Sequence, residues 1–190
     1  SMLNLFKVFK SITSDDILTM YISKSNDSIL TIIMDDNKKN RRSEFNLKLI
    51  DIPSDGFKMP SLVYNNNITM SSSDFQNTCR SIALFSPDTM EITTSNKGII
   101  FKGEADFGDQ KFEFFNSNTN YEDYNLELNQ KNNKIIQGKF KIKHLLHFTK
   151  CTNLSNRMTI CLDNDEPIVI KYNVSTLGEI NLLLTPYDVE

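Results

Sequence analysis

The strongest constraint on this chain is a rhythm of two. Apolar and polar residues alternate, or β-branched residues run together, at 17–23, 28–34, 44–50, 67–70, 90–95, 98–105, 110–115, 157–162, 167–174 and 179–185. "GIIFKGEA" (98–105) and "PIVIKYNV" (167–174) are typical, and Asn, Asp, Ser and Gly bound most of these stretches. Successive side chains of a strand point to opposite faces, so such stretches bury one face or sit wholly inside. Many short strands at short spacing predict antiparallel sheets. Two stretches lack the pattern. "DIPSDGFKMPSLVYNNN" (51–67), with two prolines and a glycine, reads as an extended linker between two sheet regions. The Asn-rich stretch 116–134 reads as a surface loop leading into a strand.

Three segments switch to a helical period. In "LNLFKVFK" (3–10), Leu5, Phe6, Val8 and Phe9 share one side of a helical wheel, and Lys7 and Lys10 the other. In "SSSDFQNTCRSIAL" (71–84), a serine N-cap and a first-turn Asp precede Phe75, Cys79, Ile82 and Ala83, an apolar stripe at i, i+4, i+7 and i+8. Arg80 lies off that stripe. In "KIKHLLHFTKC" (141–151), Ile142, Leu145, Leu146 and Phe148 occupy one arc and Lys143, His147 and Lys150 the other. Each helix is expected to cover a sheet with its apolar side and to turn bases outward. This placement needs a reason, because the chain carries a net charge of -3.

One explanation is a metal site built from His144, His147 and Cys151. A zinc site needs three or four converging nitrogen or sulfur ligands. No second cysteine or carboxylate cluster lies nearby, and Cys79 and Cys161 have no ligand spacing. The other explanation is a basic helix face turned toward an anion. No P-loop, GxGxxG, GxSxG or HExxH motif occurs, so neither catalytic residues nor a cofactor or metal is expected. Three cysteines without CxxC spacing point to reduced thiols. No apolar run approaches the roughly 20 residues of a membrane span, and no membrane partner is expected.

Several phrases, in order along nearly the whole chain, resemble the proliferating cell nuclear antigen family of sliding clamps. "FKSITSDDILTM" is similar to the end of that family's second helix and the strand after it. "FNLKLIDIP" resembles the last strand of the first domain where it enters the interdomain connector. "SSSDFQNTCRSIALFSPDTMEITTSNKGIIFKGEADFG" resembles the opening of the second domain. "IKHLLHFTKCTNLSNRMTICLDNDEPIVIKYNV" and "LGEINLLLTP" resemble its final helix, hairpin and last strand.

The resemblance implies an α+β DNA-clamp fold, with antiparallel β-sheets and short helices on one face. Residues 1–50 would be the C-terminal part of a first clamp domain, 51–66 the connector and 67–190 a second clamp domain. Each domain of the family repeats a β-α-β-β-β unit twice, and three subunits form a ring around duplex DNA. The implied partners are double-stranded DNA read without regard to sequence, DNA polymerase and other clamp-binding-motif proteins, a clamp loader and, in the parent protein, two further copies in a homotrimer. The implied compartment is the nucleus.

By the same resemblance Lys7, Lys10, Arg80, Lys143 and Lys150 match DNA-facing positions, and the wheel adds His147. A further basic position of the family falls on Asn77, and a position where the family often carries a modified lysine falls on Asn96. Ring closure would use the strands 41–49 and 107–115, with Phe45, Leu47, Phe107 and Phe112. A partner peptide would dock on Ile50, Phe57, Met59 and Pro60 of the connector and on Pro167, Leu183, Leu184, Thr185 and Pro186. At Leu183 the family commonly has an aromatic residue. Roughly the first third of a family member has no counterpart here. A hetero-ring checkpoint-type clamp subunit, or a β-rich interaction module without DNA binding, are the alternative readings.

Overall fold

A computed structural model describes residues 1–50, 63–116, 126–130 and 134–187, and the chain divides into two compact units, Ser1–Pro60 and Ser61–Glu190. The first unit is a helix, α1 (Met2–Phe9), followed by a meander of β1 (Asp16–Ser23), β2 (Asn26–Asp36) and β3 (Arg41–Lys48). The β2–β3 hairpin is closed by acid–base chemistry. Asp36 accepts the backbone N–H groups of Lys38 and Lys39 at 3.1 and 3.0 Å, and Arg42 holds Asp35 through two bonds of 2.7 and 3.0 Å. These donors hold both carboxyl groups below the usual carboxylate range.

Ile32 and Met34 of β2 are buried in this unit, but α1 buries no residue completely. Phe6, expected on the covered side, is 57% exposed, and the Lys10 ammonium sits 5.0 Å from its ring centroid. The cation–π contact holds Phe6 on the lysine side of the helix. The strand expected at 44–50 begins earlier and stops at Lys48, leaving Leu49 and Ile50 outside it.

The second unit is built from two copies of one plan. The first copy runs β4 (Asn66–Ser71), α2 (Ser72–Ala83), β5 (Thr89–Ser95), β6 (Gly98–Ala105) and β7 (Gly108–Phe115). After β8 (Glu127–Gln130), the second runs β9 (Ile136–Lys141), α3 (Ile142–Phe148), a 3-10 turn (Thr149–Leu154), β10 (Arg157–Leu162), β11 (Ile168–Val174) and β12 (Gly178–Leu184). Each copy lends its first strand to the other. One sheet has the order β12-β11-β10-β4-β8 and the other β7-β6-β5-β9, all antiparallel. The strand-rich reading is correct, and this α+β architecture with antiparallel sheets and three helices is consistent with the clamp fold.

The exchange also fixes where the helices start. A helix leaves its first N–H groups without intrahelical partners. The N–H of Ser72 donates to the Asn156 carbonyl at 2.9 Å, and that of Ile142 to the Asp88 carbonyl at 3.1 Å. Each acceptor immediately precedes the first meander strand of the other copy, β10 or β5. In α2 the Ser71 hydroxyl accepts the Asp74 N–H at 3.3 Å, the cap expected from the serine run. Phe75, Cys79 and Ile82 then enter the core as the stripe required. They join Ile68 and Met70 of β4, Met90 and Ile92 of β5, Ile99 and Phe101 of β6, and Ile160, Ile170 and Tyr172 of the other sheet in one cluster.

Two details depart from the sequence expectation. The final helix, expected over 141–151, is α-helical only to Phe148 and then tightens into the 3-10 turn. Strand β9 was not expected. Its inward residues are Ile136, Gly138 and Phe140, and the glycine interrupts the apolar alternation. A Cβ on Gly138 would lie 2.7 Å from the Phe140 ring, so the missing side chain is what lets Phe140 fold back into the core.

Deleting the Phe75 side chain should cost about 3–5 kcal/mol in urea-induced unfolding of the second unit, because it leaves a cavity at the helix–sheet contact. Ser71→Ala should cost about 1 kcal/mol through loss of the cap. Equal effects from the two changes would show that the cluster around Phe75 is not the stability centre.

Candidate nucleic-acid and partner-peptide sites

The helices carry the bases in both units. In the first, Lys7 is exposed on α1 and Lys10 at its C-cap, and the helix contains no acidic residue. In the second, Arg80 is exposed on α2, Lys143 and His147 on α3, and Lys150 on the 3-10 turn rather than on the helix. The side-chain amide of Gln76 on α2 donates to the Thr149 carbonyl at 2.9 Å, tying α2 to the turn that presents Lys150. The turn is braced from within, since Thr149 Oγ1 donates to the Leu146 carbonyl at 2.9 Å and Thr152 Oγ1 to the Thr149 carbonyl at 2.6 Å. Neither α3 nor this turn contains a carboxylate.

The partners of the cations separate helices from sheets. Among the described residues, Lys7, Lys10, Arg80, Lys143 and Lys150 make no ion pair. All ion pairs among the described residues are made by cations on strands and their turns: Lys38 with Asp15, Lys39 with Asp36, Arg42 with Asp35, Lys102 with Glu104, Lys111 with Glu113, Lys139 with Glu91, Arg157 with Glu127 and Lys171 with Glu179, although Lys24, Arg41, Lys48, Lys97 and Lys141 there make none. Many of the sheet cations have a carboxylate neighbour, whereas the helix charges are all left for something outside the chain. Asn77 is exposed on α2.

The histidines show no metal geometry. The His144 and His147 rings meet edge to face with centroids 6.5 Å apart. Among the described residues, no group of three or more His, Cys, Asp and Glu side chains converges to hold an ion. The thiols are poor ligands for a separate reason. Burial pushes Cys79 up to about 12 and raises Cys151 and Cys161, keeping them protonated.

The expected peptide-docking residues fall in three places. Phe57, Met59 and Pro60 lie outside the described residues. Ile50 is 73% exposed at the end of the first unit. In the second unit, Pro167 immediately precedes β11, Leu183 and Leu184 end β12, and Thr185 and Pro186 follow it. Leu184 packs against the main core, whereas Leu183 points to the opposite face of the sheet. There it pairs across strands with Val169, which pairs with Cys161. Both are almost fully buried yet belong to no part of the main core cluster.

This apolar rung is the part of the region that sequence reading missed, together with Tyr64 and Asn65. The Tyr64 hydroxyl donates to the Pro167 carbonyl at 2.5 Å, and the Asn65 amide donates to Asp163 at 2.9 Å. Both bonds pin the chain leading into β4 against the β10–β11 hairpin. Burial, with the Cys161, Glu166 and Asp163 groups nearby, pushes the Tyr64 phenol up to about 12. The only signal in the sequence was an aromatic residue closing the Pro-rich linker.

Of the four residues assigned to ring closure, three lie on two strands and one in a turn. Phe45 and Leu47 are half-buried on β3, which pairs only with β2 among the described residues. Phe112 is half-buried on β7, packs against the core of its own unit and leaves only backbone for a neighbour. Strand β7 pairs only with β6 among the described residues. Phe107 is 72% exposed in the β6–β7 turn, its ring centroid 4.8 Å from that of Phe85. Unpaired edges of this kind accept a further strand.

A fold of paired strand–helix–meander repeats, with bases on the helices and open sheet edges, defines the sliding-clamp class of protein. The family model for proliferating cell nuclear antigen, C-terminal domain, matches residues 58–187, and the chain belongs to that family. A probable DNA polymerase sliding clamp of Acanthamoeba polyphaga mimivirus is 32% identical over 94% of the chain, which spans 37% of that relative's length. The proliferating cell nuclear antigens of Caenorhabditis elegans and Chaetomium thermophilum are 29% and 27% identical over 98% and 96% of the chain. The chain spans 70% of each of these two proteins.

Tyr64 provides a test of the hairpin contact. Its raised folded-state value means that protons leave the unfolded chain first, so its contribution is intact below about pH 10 and is lost as pH rises toward about 12. Tyr64→Phe should remove this alkaline loss and one phenol titrating near pH 12 in the ultraviolet spectrum. Loss instead of a phenol titrating near pH 10 would place Tyr64 in open solvent.

Proposed function

We propose that this chain is part of a DNA sliding clamp. In that role it encircles duplex DNA as a ring, acts without catalysis and holds replication and repair proteins to their template. The observation that carries this reading is that every basic residue on or beside the helices stands without a carboxylate partner, while all ion pairs among the described residues lie on the sheets and their turns. Unpaired lysine and arginine neutralise phosphates without reading bases, which suits a protein that slides. Lys7, Lys10, Arg80, Lys143, His147 and Lys150 are the contacts on this reading, with Asn77 reducing the charge of α2. In a eukaryotic cell the compartment would be the nucleus.

In the parent protein, β3 of one subunit and β7 of the next would pair to close a homotrimer, and a clamp loader would open it on DNA. The polymerase and other partners would insert a short apolar motif between the connector and the end of β12. Ile50, Phe57, Met59 and Pro60, with Pro167, Leu183, Leu184, Thr185 and Pro186, are the contacts on this reading. Apolar anchors in a groove are what such recognition requires.

Lys143→Ala with Lys150→Ala should reduce the slope of log affinity against log salt by about 2 on duplex DNA. An unchanged slope would mean that α3 and its 3-10 turn do not face phosphate. A clamp-binding peptide should bind this chain no more tightly than about micromolar, or ~8 kcal/mol. Phe57→Ala should weaken it by about 1–3 kcal/mol in calorimetry, as expected for a buried aromatic anchor. Undiminished binding by that variant would put the peptide elsewhere.

A further inference from the structure

We infer that His144 joins His147 as a phosphate-contacting residue, and that together they make the grip of the α3 face on duplex DNA depend on pH. This rests on the DNA-facing reading of that helix. The chain has two histidines, and both stand on this one helix. Both are exposed, three residues apart, with ring centroids 6.5 Å from each other. Lys143 precedes them and Lys150 follows on the turn.

The charged groups around them are mostly positive. On α2 stand Arg80 and one carboxylate, Asp74, in its first turn. On β9, Lys139 is paired with Glu91 at 3.8 Å, and the Lys141 ammonium lies 5.2 Å from the Tyr187 ring centroid. The 3-10 turn contributes Lys150 and the half-buried Cys151 thiol, which burial keeps protonated. No carboxylate of α3 or of the turn competes for an imidazolium. A neutral imidazole releases no counterion from DNA, whereas an imidazolium on a phosphate does. Imidazole is the side chain whose charge ordinarily changes between about pH 5 and 8. Each protonated histidine in contact with duplex therefore adds about 0.9 to the salt slope, or about eightfold in affinity at ~0.1 M salt.

The test is fluorescence anisotropy of the full 190-residue chain on a short duplex of mixed sequence, at about 50 to 200 mM salt and at about pH 5.5 and 8. The slope should steepen at the lower pH by about 1 to 2. In the His144→Gln, His147→Gln double variant the slope should be nearly the same at both pH values. Lys143→Ala with Lys150→Ala should lower the slope equally at both pH values. Matching thermal unfolding curves confirm that these exposed substitutions leave the fold intact. A parent slope that does not change with pH, or steepening that survives in the double variant, overturns the inference alone. Absence of salt-dependent binding at either pH overturns the duplex reading and this inference with it.

Discussion

The exchange of first strands between the two copies in the second unit is the constraint from which the rest follows. Strand β4 belongs by sequence to the first copy but pairs with β10 of the second, and β9 makes the reverse exchange with β5. Neither meander is then a complete sheet without a strand from the other copy. The same exchange places a carbonyl from each copy at the start of the other's helix, at Asn156 and Asp88. Helix position is thereby set by backbone hydrogen bonds, leaving the helix surface free to carry any charge. The apolar stripes of α2 and α3 complete the cluster from inside, with Phe75 and Leu145 fully buried.

This division of labour accounts for a negatively charged protein with basic helices. An exposed ion pair contributes roughly 0 to 1 kcal/mol. Leaving Arg80, Lys143 and Lys150 without carboxylates therefore costs little stability. Strand cations have cross-strand or same-strand neighbours that can carry the opposite sign, as Lys111 and Glu113 or Lys171 and Glu179 do. The sheets can hold the excess acid without cancelling the field of the helices. A short helix with three or four outward positions can be kept free of acid by a few choices of residue, and α3 is.

How far the sequence could be read depended on whether one residue served one purpose. Alternation located β10 to the residue, because its inward positions, Met158, Ile160 and Leu162, are uniformly apolar, and the run of Ile99, Ile100 and Phe101 located β6 despite its buried Gly103. It missed β9, where Gly138 stands inward to make room for Phe140. The α2 stripe was legible because a serine cap and a 3.6-residue period agree, and the lysine side of α1 was legible for the same reason. The place of Phe6 was not, since a cation–π contact to Lys10 outweighs the helical wheel at an exposed turn. The shift from α to 3-10 geometry under Lys150 depends on Thr149, Thr152 and Gln76, three polar side chains bonding to backbone from three positions. Such bonds have no periodicity to detect.

The apolar rung of Leu183, Val169 and Cys161 was hidden by a related ambiguity. Consecutive apolar residues near the end of β12 are compatible with core on either face, and only the pairing register separates Leu184 from Leu183. A buried rung on the outer face of a sheet needs a cover, and the cover starts with a residue from outside the strand pattern, Tyr64. Its bond to a carbonyl, rather than to a side chain, ties it to the course of the hairpin and leaves the identity of the neighbouring side chains free to vary. An aromatic at Leu183 would enlarge that outer surface without disturbing the main core, because Leu183 does not belong to it. Substitution at this position can therefore change that outer surface while the fold that presents it stays the same.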